Sequence, residues 1–166
     1  MKMTSSEANK LIKKLKSEQE MLLQIEQQAY TFTAAVEENP DDARPDYSFE
    51  ETNDRLNEIE TKIRKIKHAL NVFNTTHKAG DYTLDEALVR IPMLSQKAQR
   101  LSRMAQQLPK SRIDDRYNSG PHITYRYANY DVAEAKRLYQ ETIDELNRLQ
   151  IALDNTNRTE QMDIDI

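Results

Sequence analysis

The fold is decided by the stretch SFEETNDRLNEIETKIRKIKHALNVF, residues 48–73. Its apolar side chains recur at alternating three- and four-residue spacing, which is the period of one face of an α-helix. Ser48 stands three positions before Glu51, and such a pair forms a capping box, in which each side chain satisfies an amide at a helix start. The stretch therefore predicts a helix of roughly 26 residues and ~39 Å. The positions of its stripe are Phe49, Thr52, Leu56, Ile59, Ile63, Ile66, Leu70 and Phe73.

The same pattern occurs elsewhere in the chain and predicts further helix starts. Each time, a small polar residue precedes a glutamate by three positions and an amphipathic run follows. The pairs are Thr4 with Glu7, Thr83 with Glu86, and Asp131 with Glu134. Together with the stretch above, they predict an all-α fold: an antiparallel bundle of four long coiled-coil-like helices, arranged as two helical hairpins. The expected helices cover about 5–36, 49–74, 84–108 and 132–155.

The first and last of these helices differ in the width of their apolar faces. The first has one heptad seam, interrupted only by Glu18, which is typical of a coiled-coil stripe. The last has a seam widened by Leu138, Ile143 and Ile151, which favours two packing neighbours. The first seam comprises Ala8, Leu11, Leu15, Leu22, Ile25, Ala29, Phe32 and Val36, and the last comprises Val132, Ala135, Tyr139, Leu146, Leu149 and Leu153.

Few residues in the chain break helices, so each one indicates a boundary or a bend. Residues 37–47 are acidic and contain two prolines, and they are expected to be a linker. Gly80 offers a left-handed turn before the third helix. Pro92, inside the third helix, should bend it because proline removes a backbone hydrogen bond. The segment 158–166 is expected to be a flexible tail, and the whole chain 1–166 a single helical domain.

The segment between the third and fourth helices has a different composition. It holds four of the eight tyrosines, and apolar or aromatic residues alternate with polar ones on either side of Asn118-Ser119-Gly120-Pro121. This alternation predicts a short tyrosine-rich β-ribbon over about residues 112–128. A lone hairpin is barely stable in water, so the ribbon should rest on the helices or on another subunit.

Composition excludes several functional classes. There is no cysteine, so disulfides, thiolate nucleophiles and cysteine-bound zinc are excluded. The three histidines are not at metal-ligand spacing on one helix, and no phosphate-binding glycine loop occurs. We therefore expect no enzyme activity, no cofactor, no metal site and no small-molecule substrate. The early lysines precede no apolar core of signal-peptide length, and no stretch suits a membrane span, so a cytoplasmic location is expected.

Two motifs give the chain a family resemblance. They are DYTLDEALVR at 81–90 and LQIALDNTNRTE at 149–160, with the tyrosine ribbon between them. In this order they resemble a small bacterial family of helical proteins often labelled septicolysin. That family usually has a tryptophan soon after the final asparagine, where this chain has Arg158. The resemblance implies a helical fold and self-association, and its label implies a membrane-acting role, but it assigns no catalytic or pore-lining residues.

The strongest charge feature is the segment Lys97–Arg116. It has six basic residues against two aspartates, although the chain as a whole has a net charge of −4. Basic side chains next to tyrosines can contact phosphates and stack on bases, so this segment is a candidate RNA surface. The alternative is a solvated helix face whose arginines pair with acids of a neighbouring helix. The candidate residues are Arg100, Arg103, Lys110, Arg112, Arg116, Tyr117, Tyr125 and Tyr127.

The helical pattern favours a non-enzymatic function. Narrow amphipathic rods with extra apolar residues leave surface that one chain covers poorly, so we expect a self-associating scaffold or interaction protein that forms a homo-oligomer. RNA binding is the alternative function. A membrane-acting role comes third, because amphipathic helices are better explained by packing on each other.

Overall fold

Helices dominate the computed structural model, which describes residues 1–113 and 123–166. Over these residues there are five helices and six short strands. In chain order they are β1 Lys2–Thr4, α1 Ser5–Ala29, α2 Pro40–Ala43, α3 Phe49–Thr76, β2 Lys78–Ala79, β3 Tyr82–Thr83, α4 Leu84–Ala105, β4 Lys110–Arg112, β5 Tyr125–Tyr127, α5 Val132–Thr159 and β6 Gln161–Asp163. The prediction of a mainly helical protein is confirmed, and the strands form small antiparallel pairs.

Two of the predicted capping boxes are complete. The Thr4 amide donates to the Glu7 carboxylate at 2.8 Å, and the Glu7 amide donates back to the Thr4 hydroxyl at 3.3 Å. Thr83 and Glu86 repeat this arrangement at the start of α4, with distances of 2.8 and 3.2 Å. Both helix starts are therefore fixed by local sequence, as the spacing predicts.

The other two boxes are formed in part. The Ser48 hydroxyl accepts from the Glu51 amide at 3.3 Å. The Asp131 carboxylate accepts from the Ala133 amide at 2.8 Å, but Glu134 turns away and accepts from Arg137 Nε at 2.8 Å. A charged partner one turn along the helix competes with the backbone amide for this glutamate. The helix start remains where the sequence predicts it.

Contacts divide the described chain into two compact units, residues 1–76 with 156–166, and residues 77–155. In the first unit α1 and α3 run antiparallel, since Tyr47 bonds to Glu26 while Arg55 bonds to Glu18. The strands β1 and β6 pair beside them, with Met3 opposite Met162. The buried apolar residues of this unit are Met3, Ala8, Ile12, Leu15, Ile59, Ile66, Leu70, Phe73, Met162 and Ile164.

Residues 158–166 do not form the flexible tail that the sequence predicts. The helix α5 continues to Thr159, β6 follows it, and both Met162 and Ile164 are buried. The partner of this strand is β1, at the other end of the chain. The alternation of apolar residues in the tail is too short to indicate a strand until that distant partner is known.

The first helix is shorter than predicted. It ends at Ala29, so Phe32 and Val36 lie outside it and are exposed. Within it, Ile12 is buried where the heptad assignment chose Leu11, and Ile25 is exposed. Leu11 and Ile12 are adjacent apolar residues, and Ala8, Ile12 and Leu15 have helical spacing as well, so the periodicity alone does not tell which of the two is buried.

The linker 37–47 contains a single helical turn, α2. Asn39 caps it by accepting from the Asp41 amide at 3.3 Å, and Pro40 occupies its first turn. Proline is favoured at that position because its missing amide has no partner there in any case. All residues of α2 are exposed, and this absence of buried side chains was expected from the acidic composition of the linker.

The second unit contains α4 and most of α5. Arg90 on α4 donates to Glu145 on α5 at 2.8 Å, and the Tyr130 hydroxyl donates to the Met104 carbonyl at 2.9 Å. The turn between β2 and β3 contains Gly80, whose φ is +64°, and β3 is followed directly by α4. The buried residues of the second unit are Ala79, Leu84, Ala87, Leu94, Ala98, Leu101, Ala105, Val132, Ala135, Thr142 and Leu149.

The structure tests the predicted length of α4 but not the bend at Pro92. The helix α4 runs through Pro92 but ends at Ala105, and Leu108 is exposed beyond it. The backbone next to Pro109 is unsuited to a helix, which accounts for the early end. The predicted bend at Pro92 stays a prediction, and so do the single domain and the four-helix bundle.

The tyrosine ribbon exists, but its first strand comes earlier than the alternation predicts. Lys110–Arg112 pairs with Tyr125–Tyr127, and the ladder continues with the Ile113 amide donating to the Thr124 carbonyl at 3.0 Å. Pairing begins directly after Pro109, whose carbonyl accepts from the Ala128 amide at 3.0 Å. The predicted turn at 118–121 lies outside the described residues.

Candidate functional site

The ribbon places basic and aromatic residues on one face. In its register Lys110 lies opposite Tyr127, and Arg112 lies opposite Tyr125. Residues opposite each other in an antiparallel pair share a face, and residues two apart on a strand do so as well. These four side chains, which we call the ribbon face, therefore lie together, while Ser111 and Arg126 lie on the other face.

The lysine of the ribbon face contacts both tyrosine rings. Lys110 Nζ lies 4.1 Å from the centroid of the Tyr125 ring and 5.4 Å from that of Tyr127, within the range of a cation–π interaction. The two centroids are 6.4 Å apart and the ring planes are tilted by 51°, so the rings do not stack on each other. Tyr125 is 41% exposed and Tyr127 is 63% exposed. Both side chains are therefore partly open to solvent, Tyr127 more than Tyr125.

The remaining candidates lie on α4 or outside the described residues. Arg100 and Arg103 are exposed on the last turns of α4, six residues or more before Pro109. The structure brings them into the same unit as the ribbon face. Arg116 and Tyr117 lie outside the described residues.

Several arginines of this protein form ion pairs, but the two on the last turns of α4 do not do so among the described residues. Arg55, Arg90 and Arg137 each bind a carboxylate. By contrast, Arg100, Arg103 and Lys110 have no ion-pair partner in the part of the chain that the structure describes. Among the described residues the structure therefore shows no acidic partner for these three side chains, and a solvated helix face stays the alternative to an RNA surface.

A second feature, which the sequence did not predict, lies where α1 and α3 of the first unit join their connecting segment. Leu23, Tyr30 and Phe49 are between 45% and 66% exposed there and line a groove of about 730 Å³. We call this surface the tip groove; Glu26, Gln27 and Tyr47 complete its lining. The prediction that Phe49 belongs to the buried stripe is wrong, since Phe49 is exposed. Helical spacing alone does not show whether a neighbouring element extends far enough to cover a residue at the end of a helix.

The carboxylate of Glu26, in the tip groove, already accepts a hydrogen bond. The Tyr47 hydroxyl donates to Glu26 Oε1 at 2.7 Å. This bond to a carboxylate raises the pKa of the Tyr47 phenol above its usual value, because ionising the phenol would place two negative charges together. The groove thus combines Leu23 and three aromatic side chains with a carboxylate that already accepts a hydrogen bond.

The described residues contain no group of three or more His, Asp or Glu side chains placed to hold a metal ion. His68 is exposed on α3, His77 is partly exposed before β2, and His122 lies outside the described residues. Among the described helices, none is long and apolar enough to cross a membrane.

These features define a mainly helical protein with small antiparallel strand pairs, a basic ribbon face and an apolar tip groove. No family model matches the chain, and no curated protein matches it. A crystal structure of a functionally unknown conserved protein from Corynebacterium diphtheriae is similar to it, with 20% sequence identity and a TM-score of 0.57. The similarity covers 98% of this chain and 100% of that one. At this identity it shows the fold alone, and the resemblance to the septicolysin-labelled family stays a prediction.

Proposed function

We propose that this protein is a non-enzymatic, self-associating helical scaffold of the bacterial cytoplasm. The observation that supports the proposal is the tip groove, where Leu23, Tyr30 and Phe49 converge and remain exposed. An arrangement of the four long helices as one antiparallel bundle belongs to the same proposal.

The tip groove brings exposed apolar side chains together in a polar chain. The mean hydropathy is −0.88 and 31% of the residues are charged, yet three large apolar or aromatic side chains meet in one groove. Single exposed apolar residues are normal on protein surfaces, whereas a contiguous group favours a contact with another molecule. Covering the groove would remove these side chains from water, which is the main driving force of association.

A second copy of the chain suits the tip groove. In a two-fold dimer the same surface meets itself, so it must be self-complementary. Aromatic rings beside an open groove allow the ring of one copy to enter the groove of the other. Glu26 is the only charged lining residue, and its bond to Tyr47 reduces the cost of bringing two such carboxylates near each other.

Light scattering coupled to gel filtration tests the proposal. At micromolar concentration the protein should have at least twice the monomer mass of 19.4 kDa. The double variant Tyr30→Ser with Phe49→Ser should shift it to the monomer, because both side chains lose their apolar contact. The matched control is Val72→Ser with Val89→Ser, two exposed apolar residues outside the groove.

Two outcomes would contradict this function. One is a wild-type mass of 19.4 kDa at every concentration examined. The other is an equal loss of mass in the control variant, which would place the interface elsewhere. Circular dichroism of each variant checks that the helices remain.

A further inference from the structure

The segment that holds the ribbon face is basic, although the chain as a whole is acidic. Residues 97–116 carry six lysines and arginines against Asp114 and Asp115, whereas the whole chain has 28 acidic residues against 24 lysines and arginines. Among the described residues these basic side chains are Lys97, Arg100, Arg103, Lys110 and Arg112. A locally basic segment attracts a polyanion despite the net charge of −4.

The exposed tyrosines add a second recognition element. A protein that only needed positive charge would gain nothing from two accessible aromatic rings beside Lys110. Aromatic side chains next to phosphate-binding cations are typical of surfaces that bind single strands, because unpaired bases stack on the rings. A duplex cannot use these rings, since its bases already stack on each other.

We propose that the ribbon face, together with Arg100 and Arg103, binds single-stranded RNA. Tyr127, the more exposed ring, stacks on one base and Tyr125 on the next. Arg100, Arg103 and Lys110 contact phosphates. In the free protein Lys110 lies over Tyr125; it moves to a phosphate when a base takes its place on the ring.

RNA is preferred over DNA because of the phenol hydroxyls. Neither Tyr125 nor Tyr127 uses its hydroxyl in a hydrogen bond within the described chain. A hydroxyl next to a stacked nucleotide can bond to the ribose 2′-hydroxyl, which DNA lacks. The surface therefore combines stacking, phosphate contacts and a means to distinguish the sugar.

Fluorescence anisotropy with labelled oligouridine RNA, oligothymidine DNA of equal length and an RNA duplex tests this proposal. The wild-type protein should bind the single-stranded RNA most tightly, and its affinity should fall as salt rises. Replacing Arg100, Arg103 and Lys110 with alanine should reduce the slope of log affinity against log salt by about 2, at roughly 0.7 for each lost phosphate contact. Tyr127→Ala should weaken binding about tenfold through lost stacking.

Matched controls separate this surface from general charge effects. Lys13, Lys14 and Lys67 are exposed lysines of the first unit, and replacing all three with alanine makes the same change in net charge. That variant should bind RNA nearly as the wild type does. Tyr127→Phe keeps the stacking ring and should bind oligothymidine DNA as the wild type does, while losing part of the preference for RNA.

Several results would overturn the proposal. They are no RNA binding at low salt, an equal loss in the lysine control variant, or equal affinity for the duplex. Equal affinity for oligothymidine DNA would overturn the choice of RNA. All the substituted residues are exposed, and a melting curve for each variant confirms that a loss of binding is not a loss of fold.

Discussion

Arg55 on α3 donates through Nε to Glu18 Oε1 on α1 at a distance of 2.9 Å. The same guanidinium also donates to Glu58 on its own helix at 3.0 Å. Glu18 is the one charged residue on the seam predicted for the first helix, and its carboxylate pairs with a basic residue of the neighbouring helix. Both side chains of the pair are partly exposed, so water screens the attraction and the pair adds little to stability.

Replacing Glu18 with leucine should therefore raise the melting temperature, by about 2 °C. The leucine extends the apolar contact next to the buried Leu15, while Arg55 keeps its bond to Glu58. Thermal unfolding followed by circular dichroism measures the change. Glu20→Leu, at an exposed position of α1, is the control and should give no increase. A lower melting temperature for Glu18→Leu would show that the ion pair outweighs the apolar contact.

The burial of α3 predicts unequal effects for two isoleucines on its stripe. Ile66 is fully buried and Ile63 is half-buried. Ile66→Ala should lower the free energy of unfolding by ~2 to 5 kcal/mol, because it leaves a cavity. Ile63→Ala should cost clearly less, since water can fill part of the space. Chemical denaturation measures both values, and equal losses would contradict the burial of this helix.

Local sequence signals predicted the helices well, and distant contacts were not predicted. The capping boxes of Thr4 and Thr83 involve residues three apart, so the sequence contains all of the information for them. The pairing of Met3 with Met162 depends on a partner at the other end of the chain. Thr142 is buried although it is polar, because its hydroxyl donates to the Leu138 carbonyl at 2.7 Å, and a periodicity of apolar residues cannot reveal this.

The candidate sites show the same division. The basic character and the tyrosines of the ribbon are properties of composition, so the sequence predicted them. Whether Arg100 and Arg103 have acidic partners depends on the neighbouring helix, and only the structure shows that they lack ion pairs among the described residues. The tip groove was missed because Leu23 and Phe49 have the spacing of core residues, although both are exposed.

The capping glutamates predict a dependence of stability on pH. Hydrogen bonds from the backbone and hydroxyl of Thr4 lower the pKa of Glu7 below its ordinary value of 4.5, and those of Thr83 do the same for Glu86. A carboxylate with a lowered pKa in the folded state stabilises that state above its unfolded pKa. This contribution is lost as pH falls through the folded pKa. The melting temperature should therefore decrease as pH falls below about 4.5.

The double variant Glu7→Gln with Glu86→Gln tests the origin of this dependence. Glutamine keeps the capping geometry without the charge, so the variant should melt lower at neutral pH and lose less stability on acidification. Glu20→Gln with Glu37→Gln, at two exposed positions, is the control with the same change in charge. If both double variants have the same melting curves at every pH, the capping glutamates are not the cause.

Gly80 should be the most sensitive position in the turn between β2 and β3. Its φ of +64° lies in the left-handed region, and a Cβ added there would meet no atom within 4 Å. Gly80→Ala therefore has no steric clash with neighbours, and its cost comes from the backbone alone, ~1 kcal/mol. Gly80→Asn should cost less, since asparagine tolerates this conformation, and Gly80→Val should cost more. Chemical denaturation of the three variants gives the order of stability.

The turn around Gly80 is closed by a hydrogen bond at the start of α4, in which the Leu84 amide donates to the His77 carbonyl at 2.9 Å. Hydrogen exchange should therefore show the loss of stability first in residues 77–84. Equal stability of the alanine and glycine proteins would mean that the turn adopts another backbone conformation in solution.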